Sequence, residues 1–336
     1  MKATIYDVAR EAGVSIATVS KVMNDKGKIS QERRREIIAI MERLHYQPSV
    51  IASALTGKHT YTIGLLIPDI ANPFFGEVAR AVEDRGHQLG YSVIICSTDN
   101  KDERIEQYIS VLKQKRVDGI MIGTGMENTD ILRQLSGSMP IVVIGREVPA
   151  VSVHTVVADD WHGGRLAAEH LLRLGHRRMA VLSEIISVSS SRERLQGFKQ
   201  RLTEEGIEMT DNHVKLCKHR VEDGKREAAE LLVRADRPTA IFCCNDLLAV
   251  GALQAAKEAG IRVPSELSII SFDNTILASV TDPPLTSIAQ PMEQLGAVAV
   301  DLLLKEFKQA QTIKERIALR TELVVRESTA CVKLAE

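Results

Sequence analysis

From Tyr61 onward the chain alternates short apolar runs with helix-length amphipathic stretches, and this rhythm restricts its fold more than any other feature. Apolar runs recur at 63–67, 93–96, 120–122, 141–144, 179–182, 240–244 and 267–270. Helical segments lie between most of them, among them 75–89, 105–115, 165–174, 192–205, 228–234 and 247–259. Several end at a glycine (Gly90, Gly175, Gly206, Gly260), where a helix closes in the left-handed conformation. Such a pattern demands parallel sheets covered by helices on both faces. There are too many strands for one comfortable sheet, and 157–160 reads as a crossing between two. Two doubly wound lobes are expected, with ligands beyond the carboxyl ends of their strands.

Ahead of this body, residues 4–24, TIYDVAREAGVSIATVSKVMN, read as two short helices joined by a tight turn. A small Ala9 permits close crossing, Gly13 supplies the left-handed turn, and Val19 points back into the crossing. Thr4 caps the first helix, with Asp7 in the capping-box place, and Ser15 caps the second. The exposed face of the second helix then holds Ile16, Ala17, Ser20, Lys21 and Asn24. An ordinary helical hairpin shares this spacing, but a third helix opened by Ser30 closes a three-helix core with Ile37, Ile40, Met41 and Leu44. Its Arg33, Arg34 and Arg35 form a solvated or phosphate-facing run, and Pro48 ends the unit. Residues 50–55, VIASAL, are too short for a stable isolated helix.

Charge agrees with this division. The chain carries a net −1, but residues 1–60 hold ten Lys/Arg against six Asp/Glu, a basic head on an acidic body. Five cysteines lack metal or redox spacing, and Cys96, Cys243 and Cys244 lie in apolar runs, as expected of buried thiols in a reducing cytoplasm. MKATIYDVAREAG has no apolar signal region, and no run approaches the length of a membrane span. The chain contains no Walker lysine motif, GxGxxG after a strand, HExxH or GxSxG, and His162, His170 and His176 lack metal-ligand spacing. These absences argue against an enzyme or a metal site, and the head argues against a transport module.

Seven motifs in order (TIYDVAREAGVSIATVSKVMN, HYQPSVIASALTGK, IPDIANPFF, HLLRLGHRRMAVL, RERLQGF, CNDLLAVGAL and LSIISFDN) resemble the lactose-repressor (LacI/GalR) family of bacterial transcription regulators across essentially the whole chain. The resemblance implies an α/β two-lobed periplasmic-binding-protein-like core preceded by an all-α helix-turn-helix head and a hinge helix. Its boundaries would be 1–47 for the head, 48–60 for the hinge and 61–336 for the core. Lobe one would hold about 61–158 and 289–320, lobe two about 159–288 and 321–330. It implies a cytoplasmic homodimer on an inverted-repeat operator of double-stranded DNA, controlled by a small-molecule effector and needing no cofactor. A protein corepressor, as in the catabolite-control subgroup, cannot be read from the residues. The tail after Arg326-Glu327-Ser328 is short and lacks a leucine heptad, so a dimer is expected.

Carried over by position, Ile16 and Ala17 are the implied base-reading residues, and the Ala17-Thr18 pair looks like that of the catabolite-control subgroup. Thr4, Tyr6, Ser15, Thr18, Ser20, Lys21 and Asn24 complete the implied DNA-binding set of the head. Ala52 and Leu55 match the hinge helix, with the leucine wedged into the minor groove. The implied effector set is Asp69, Asn72, Phe74, Phe75, Arg146, Arg194, Asn245, Phe272, Asp273 and Gln290. Asp273 and Arg194 would grip polar groups, while the three phenylalanines would pack on an apolar ligand face. Three readings stay open. Trp161 fits core or cleft wall, Arg146 fits the cleft or a surface pair with Glu147, and Asp273 with Arg194 fits an ion pair that merely holds the lobe together.

Ile16 and Ala17 offer only apolar contact, for instance with thymine methyls, so hydrogen-bonded readout must come from other residues. Replacing both is expected to change the half-site consensus recovered by in vitro selection, each altered position shifting by about 1–3 kcal/mol. An unchanged consensus would misplace the recognition helix.

Overall fold

The Ala9, Gly13 and Val19 positions set the geometry of the first unit. The structure, a computed structural model, describes residues 3–23, 27, 29–46, 59–148, 151–184, 188–308 and 313–332. It separates into two compact units, Met1–Thr60 and Tyr61–Glu336. Asn24, Pro48 and the hinge residues Ala52 and Leu55 lie outside the described residues.

In the first unit, α1 (Ile5–Glu11) and α2 (Ile16–Met23) meet across buried Ala9 and Val19. Gly13 makes the turn at φ +59°, and the Val14 N–H reaches back to the Ala9 carbonyl at 3.0 Å. The Asp7 carboxylate accepts from the Thr4 backbone N–H at 2.9 Å and from the Thr4 hydroxyl at 2.6 Å. The Ser15 hydroxyl accepts from the Thr18 N–H at 3.2 Å, and the Ser30 hydroxyl accepts from the Arg33 N–H at 3.3 Å. From α3 (Gln31–Arg43), Ile37 and Ile40 complete the core with Val8, Ala12 and Val22.

The second unit contains two six-stranded sheets. The first, of parallel strands, runs β1 (Thr62–Ile67), β2 (Ser92–Ser97), β3 (Gly119–Ile122), β4 (Ile141–Ile144), β5 (His154–Ala158) and, from the far end of the chain, β11 (Arg316–Leu319). Its spatial order is β11-β5-β4-β3-β1-β2. The second holds β6 (Met179–Glu184), β7 (Val214–Cys217), β8 (Ala240–Cys243), β9 (Ser268–Asp273), β10 (Thr286–Ala289) and β12 (Glu322–Val324). Its order is β12-β10-β9-β8-β6-β7, with only β12 antiparallel. In each sheet the order reverses beside its first strand, β1 and β6, which creates a crevice at the carboxyl ends.

Helices cover both sheets. Lobe one carries α4 (Pro73–Gln88), α5 (Asp102–Gln114), α6 (Asp130–Ser136) and α12 (Met292–Lys308), the last returning after β10. Lobe two carries α7 (Asp160–Arg173), α8 (Ser189–Glu204), α9 (Val221–Leu232), α10 (Asp246–Glu258) and short α11 (Ile276–Val280). Gly90, Gly175, Gly206 and Gly260 adopt φ between +69° and +85° after their helices. All six helices expected from the sequence start early. The gap is largest at α9, which begins at Val221 rather than 228, and at α7, which begins at Asp160 rather than 165; α5 begins at Asp102 rather than 105 and α8 at Ser189 rather than 192. These early turns are mostly polar, so apolar periodicity does not mark them. The β9 strand also runs on to Asp273.

Helices α7 and α8 touch backbone to backbone. A Cβ on Gly164 would lie 2.0 Å from the Arg194 carbonyl oxygen, and one on Gly197 would lie 2.0 Å from that of Trp161. Neither helix has room to yield without displacing Arg194. Gly164→Ala is expected to destabilise the protein by about 1–3 kcal/mol or more in urea denaturation. Gly137→Ala, where the nearest atom would be 3.9 Å away, serves as the control and should stay within about 0.5 kcal/mol of wild type.

Candidate DNA-reading surface and effector cleft

On the head, the α2 face opposite its buried Val19 and Val22 presents Ile16, Ala17 and Lys21 to solvent, with Thr18 and Ser20 half-buried beside them. Tyr6 is 63% exposed on α1, and Thr4 sits at its start. An apolar pair flanked by hydroxyls and a cation suits a groove floor with phosphate walls. Arg33 is not a free phosphate ligand. Its guanidinium bonds Glu36 at 2.6 Å and the Ala12 carbonyl at 2.8 Å, tying α3 to the turn.

In the second unit, a cleft enclosing about 520 Å³ of atom-free space, open mouth included, lies between the carboxyl ends of the two sheets. Lobe one supplies Pro68, Asn72, Phe74, Phe75, Asn100, Gly123, Gly145 and Arg146. Lobe two supplies Glu184, Val188, Ser190, Arg194, His219, Asn245 and Asp273. Seven of the ten expected effector residues therefore converge: Asn72, Phe74, Phe75, Arg146, Arg194, Asn245 and Asp273.

Three do not line the cleft. Phe272 is fully buried, stacked beneath the Arg194 guanidinium at 3.8 Å from its ring centroid. It supports the arginine instead of packing on ligand, because β9 alternates and turns Phe272 inward. Asp69 is exposed and accepts the Ala71 N–H at 2.9 Å, a turn bond. Gln290 stands behind Asp273, donating to its Oδ1 at 2.6 Å. Trp161 is neither core nor cleft wall. It is 37% exposed on α7, with the Arg165 guanidinium 5.1 Å from its ring.

Arg194 anchors lobe two. It bonds Asp160 at 2.7 Å and the Cys244 carbonyl at 2.5 Å, and it lies 3.5 Å from Asp273. Burial works against its charge, but Asp160 and Asp273 hold it cationic and raise its pKa. Burial drives the Asp273 carboxyl well above the usual carboxylate range. Asp273 and Asn274 have φ of +103° and +60°, a left-handed pair that stores strain at the cleft edge. Asp246 holds the following loop, accepting from Ser271 at 2.6 Å and from the Thr275 N–H at 2.7 Å.

Sequence reasoning missed a second cluster. Glu184, at the end of β6, is buried, accepts from Ser191 at 2.9 Å and Asn245 at 2.7 Å, and pairs with His219 at 2.7 Å. Burial pushes this carboxyl up, but His219, Arg194 and Ser191 outweigh it and leave it at about 2. Burial pushes the His219 ring down, yet Glu184 pulls harder and its pKa ends above the usual 6.5. Only the place of Glu184 at a strand end could have drawn attention to it. Among the described residues no group of acidic, histidine or cysteine side chains could hold a metal ion. No described helix is long and apolar enough to cross a membrane.

A two-lobed binding core behind a helix-turn-helix head is the architecture of a ligand-responsive DNA-binding protein. Residues 4–49 match the bacterial regulatory proteins of the lacI family, and residues 60–326 match the periplasmic binding proteins and sugar binding domain of the same family. The chain is 45% identical over 334 residues to the HTH-type transcriptional regulator DegA of Bacillus subtilis, covering 98% of this chain and 99% of that one. Catabolite control protein A of Priestia megaterium is 33% identical over 331 residues, covering 98% of this chain and all of that one. The lac repressor dimer bound to operator and the anti-inducer ONPF superposes with a TM-score of 0.88 at 31% identity, over 98% of this chain and 100% of that one. The chain belongs to the lacI family of bacterial regulatory proteins, DNA-binding regulators with a ligand-binding core.

The Glu184–His219 pair has a defined pH window. Glu184, lowered from 4.5, contributes stability that is present above pH 4.5 and lost as pH falls toward about 2. His219, raised from 6.5, contributes stability that is complete below pH 6.5 and lost as pH rises through its folded value. Urea denaturation of wild type and His219→Gln should therefore differ most near pH 5 to 6 and converge as pH rises above the folded pKa of His219. A difference independent of pH would exclude the ion pair.

Proposed function

We propose that this protein is a transcriptional repressor whose affinity for an inverted-repeat operator is set by a small hydroxylated effector, a sugar or sugar derivative, held in the cleft. The observation that carries the reading is the convergence of Asn72, Phe74, Phe75, Arg146, Arg194, Asn245 and Asp273 from both lobes onto one cavity. Two aromatic rings with convergent polar groups suit the apolar face and hydroxyl edge of a sugar. A ligand touching both lobes favours the lobe arrangement it bridges, and it acts on DNA only through that difference.

The head works on double-stranded DNA, so the protein acts in the cytoplasm, as a homodimer matching a two-fold operator. Its chemistry is binding, not catalysis. The polar groups of the cleft are arranged as ion pairs and caps rather than as a nucleophile beside a base.

Of the two residues facing polar ligand groups, Asp273 is the cleaner probe. Removing Arg194 strands Asp160 as a buried unpaired charge, whereas removing Asp273 leaves the Arg194–Asp160 pair in place. In gel shifts on a palindromic operator, wild type is expected to bind with a steep inverse dependence on salt. Asp273→Ala should bind that operator about as well without effector, yet lose its response to an effector found by screening. Loss of operator binding by Asp273→Ala alone would reassign the residue to holding the lobe together.

A further inference from the structure

The charged groups of the cleft are matched with one exception. Arg194 is neutralised by Asp160 and Asp273, and Glu184 by His219. Arg146, on the segment after β4, makes no hydrogen bond or ion pair with any described residue. Glu147, the acid next to it, is taken by Arg316. Arg146 is only half-exposed, and burial lowers its pKa, with Glu184 the one carboxylate pulling against that effect. A guanidinium partly withdrawn from water without a partner is costly, so its place in a binding cleft calls for a ligand that completes it.

The surroundings of Arg146 define that ligand's chemistry. Its Nη1 lies 2.7 Å, and the Asn100 Oδ1 3.1 Å, from where a Cβ on Gly125 would stand, so both side chains crowd the same glycine. The Asn100 Oδ1 accepts the Gly125 N–H at 2.7 Å and the Thr124 hydroxyl at 3.1 Å. Those two bonds fix the amide's orientation and leave its NH₂ group as a donor without a partner among the described residues. A planar guanidinium and an amide NH₂ at one end of a cavity offer donors only. Such a corner fits a group that only accepts, and the arginine fork fits a carboxylate or phosphate in particular.

We propose that the effector carries an anionic group, a carboxylate or a phosphate, seated on Arg146 and Asn100 in lobe one, while its hydroxyls engage Asp273 and Asn245 in lobe two. The proposal rests on the cleft being the effector site. The anion then ties an arginine of one lobe to a polar end held by the other, so charge recognition and the bridging of the lobes are one event.

The test uses the full-length protein, its Arg146→Gln and Asp273→Asn variants, and operator DNA. Inorganic phosphate and acetate are added at constant ionic strength with chloride as reference, and thermal denaturation is followed. Glucose, glucose 6-phosphate and glucuronate are then compared by calorimetry. Phosphate or acetate is expected to raise the melting temperature of wild type and of Asp273→Asn but not of Arg146→Gln, and which anion does so identifies the class. A charged sugar is expected to bind at least about tenfold more tightly than glucose, the advantage disappearing in Arg146→Gln. Equal shifts in wild type and Arg146→Gln, or no shift with either anion, overturn the anion seat. Glucose binding that Asp273→Asn abolishes and Arg146→Gln leaves intact overturns the seat but keeps the effector cleft. Arg146-dependent binding with unchanged operator affinity keeps the seat and instead overturns the effector reading.

Discussion

Lobe two is built around the Arg194 guanidinium, wedged between Asp160 and Asp273, bonded to the Cys244 carbonyl and stacked on Phe272. Arg194 stands on α8 and Asp160 on α7, so this pair comes into range only where the two helices lie in close contact. Gly164 and Gly197 make that contact possible. A buried arginine without its carboxylates costs several kcal/mol, so the crossing and the charge cluster must form together. The cleft inherits its floor from this cluster. Asp273 is held from beneath by Gln290 and its loop by Asp246, which leaves little freedom for this cleft-lining carboxylate.

The parts of the molecule legible in the sequence are those written in periodicity and turn chemistry. The β/α alternation, the glycines that close helices, and the caps at Thr4, Ser15 and Ser30 all depend on neighbours a few residues away. Sites are legible only when a motif carries them. Asn72, Arg194, Asn245 and Asp273 are reachable because each sits in a family motif, while Asn100, Glu184, Ser190 and His219 lie on two loops, a strand end and a helix start that meet only after two sheets have formed. Phe272 shows the converse error. It adjoins a cleft residue in sequence, but strand alternation turns it to the opposite side. Gln290 bonds the cleft-lining Asp273 without lining the cleft itself.

The two units solve different electrostatic problems. On the head, polar and cationic side chains stay wet beside an apolar pair, as suits a partner whose charge is itself hydrated. In the core, acids and bases are buried in matched sets, with hydroxyls and amides filling the remaining lone pairs around Glu184 and Asp246. Such preorganisation costs stability during folding and spares it at binding, because the polar groups need not rearrange when a ligand arrives.

The chain passes between the lobes three times, from β5 to α7, from β10 to α12 and from β11 to β12. Two of these passages are laced together, the Asp159 N–H bonding the Leu319 carbonyl at 2.7 Å and the Thr321 hydroxyl the Asp159 carbonyl at 3.2 Å. A body tied to another by several short straps loses sliding and twisting before it loses bending. The lobes are thus left with few soft directions, and the work done by an effector is delivered as a turn about the straps instead of being dissipated in many small shifts. The stiffness of that joint resides in residues that neither line the cleft nor belong to the head. The amplitude of a regulatory response can therefore drift in evolution while both recognition surfaces stay unchanged.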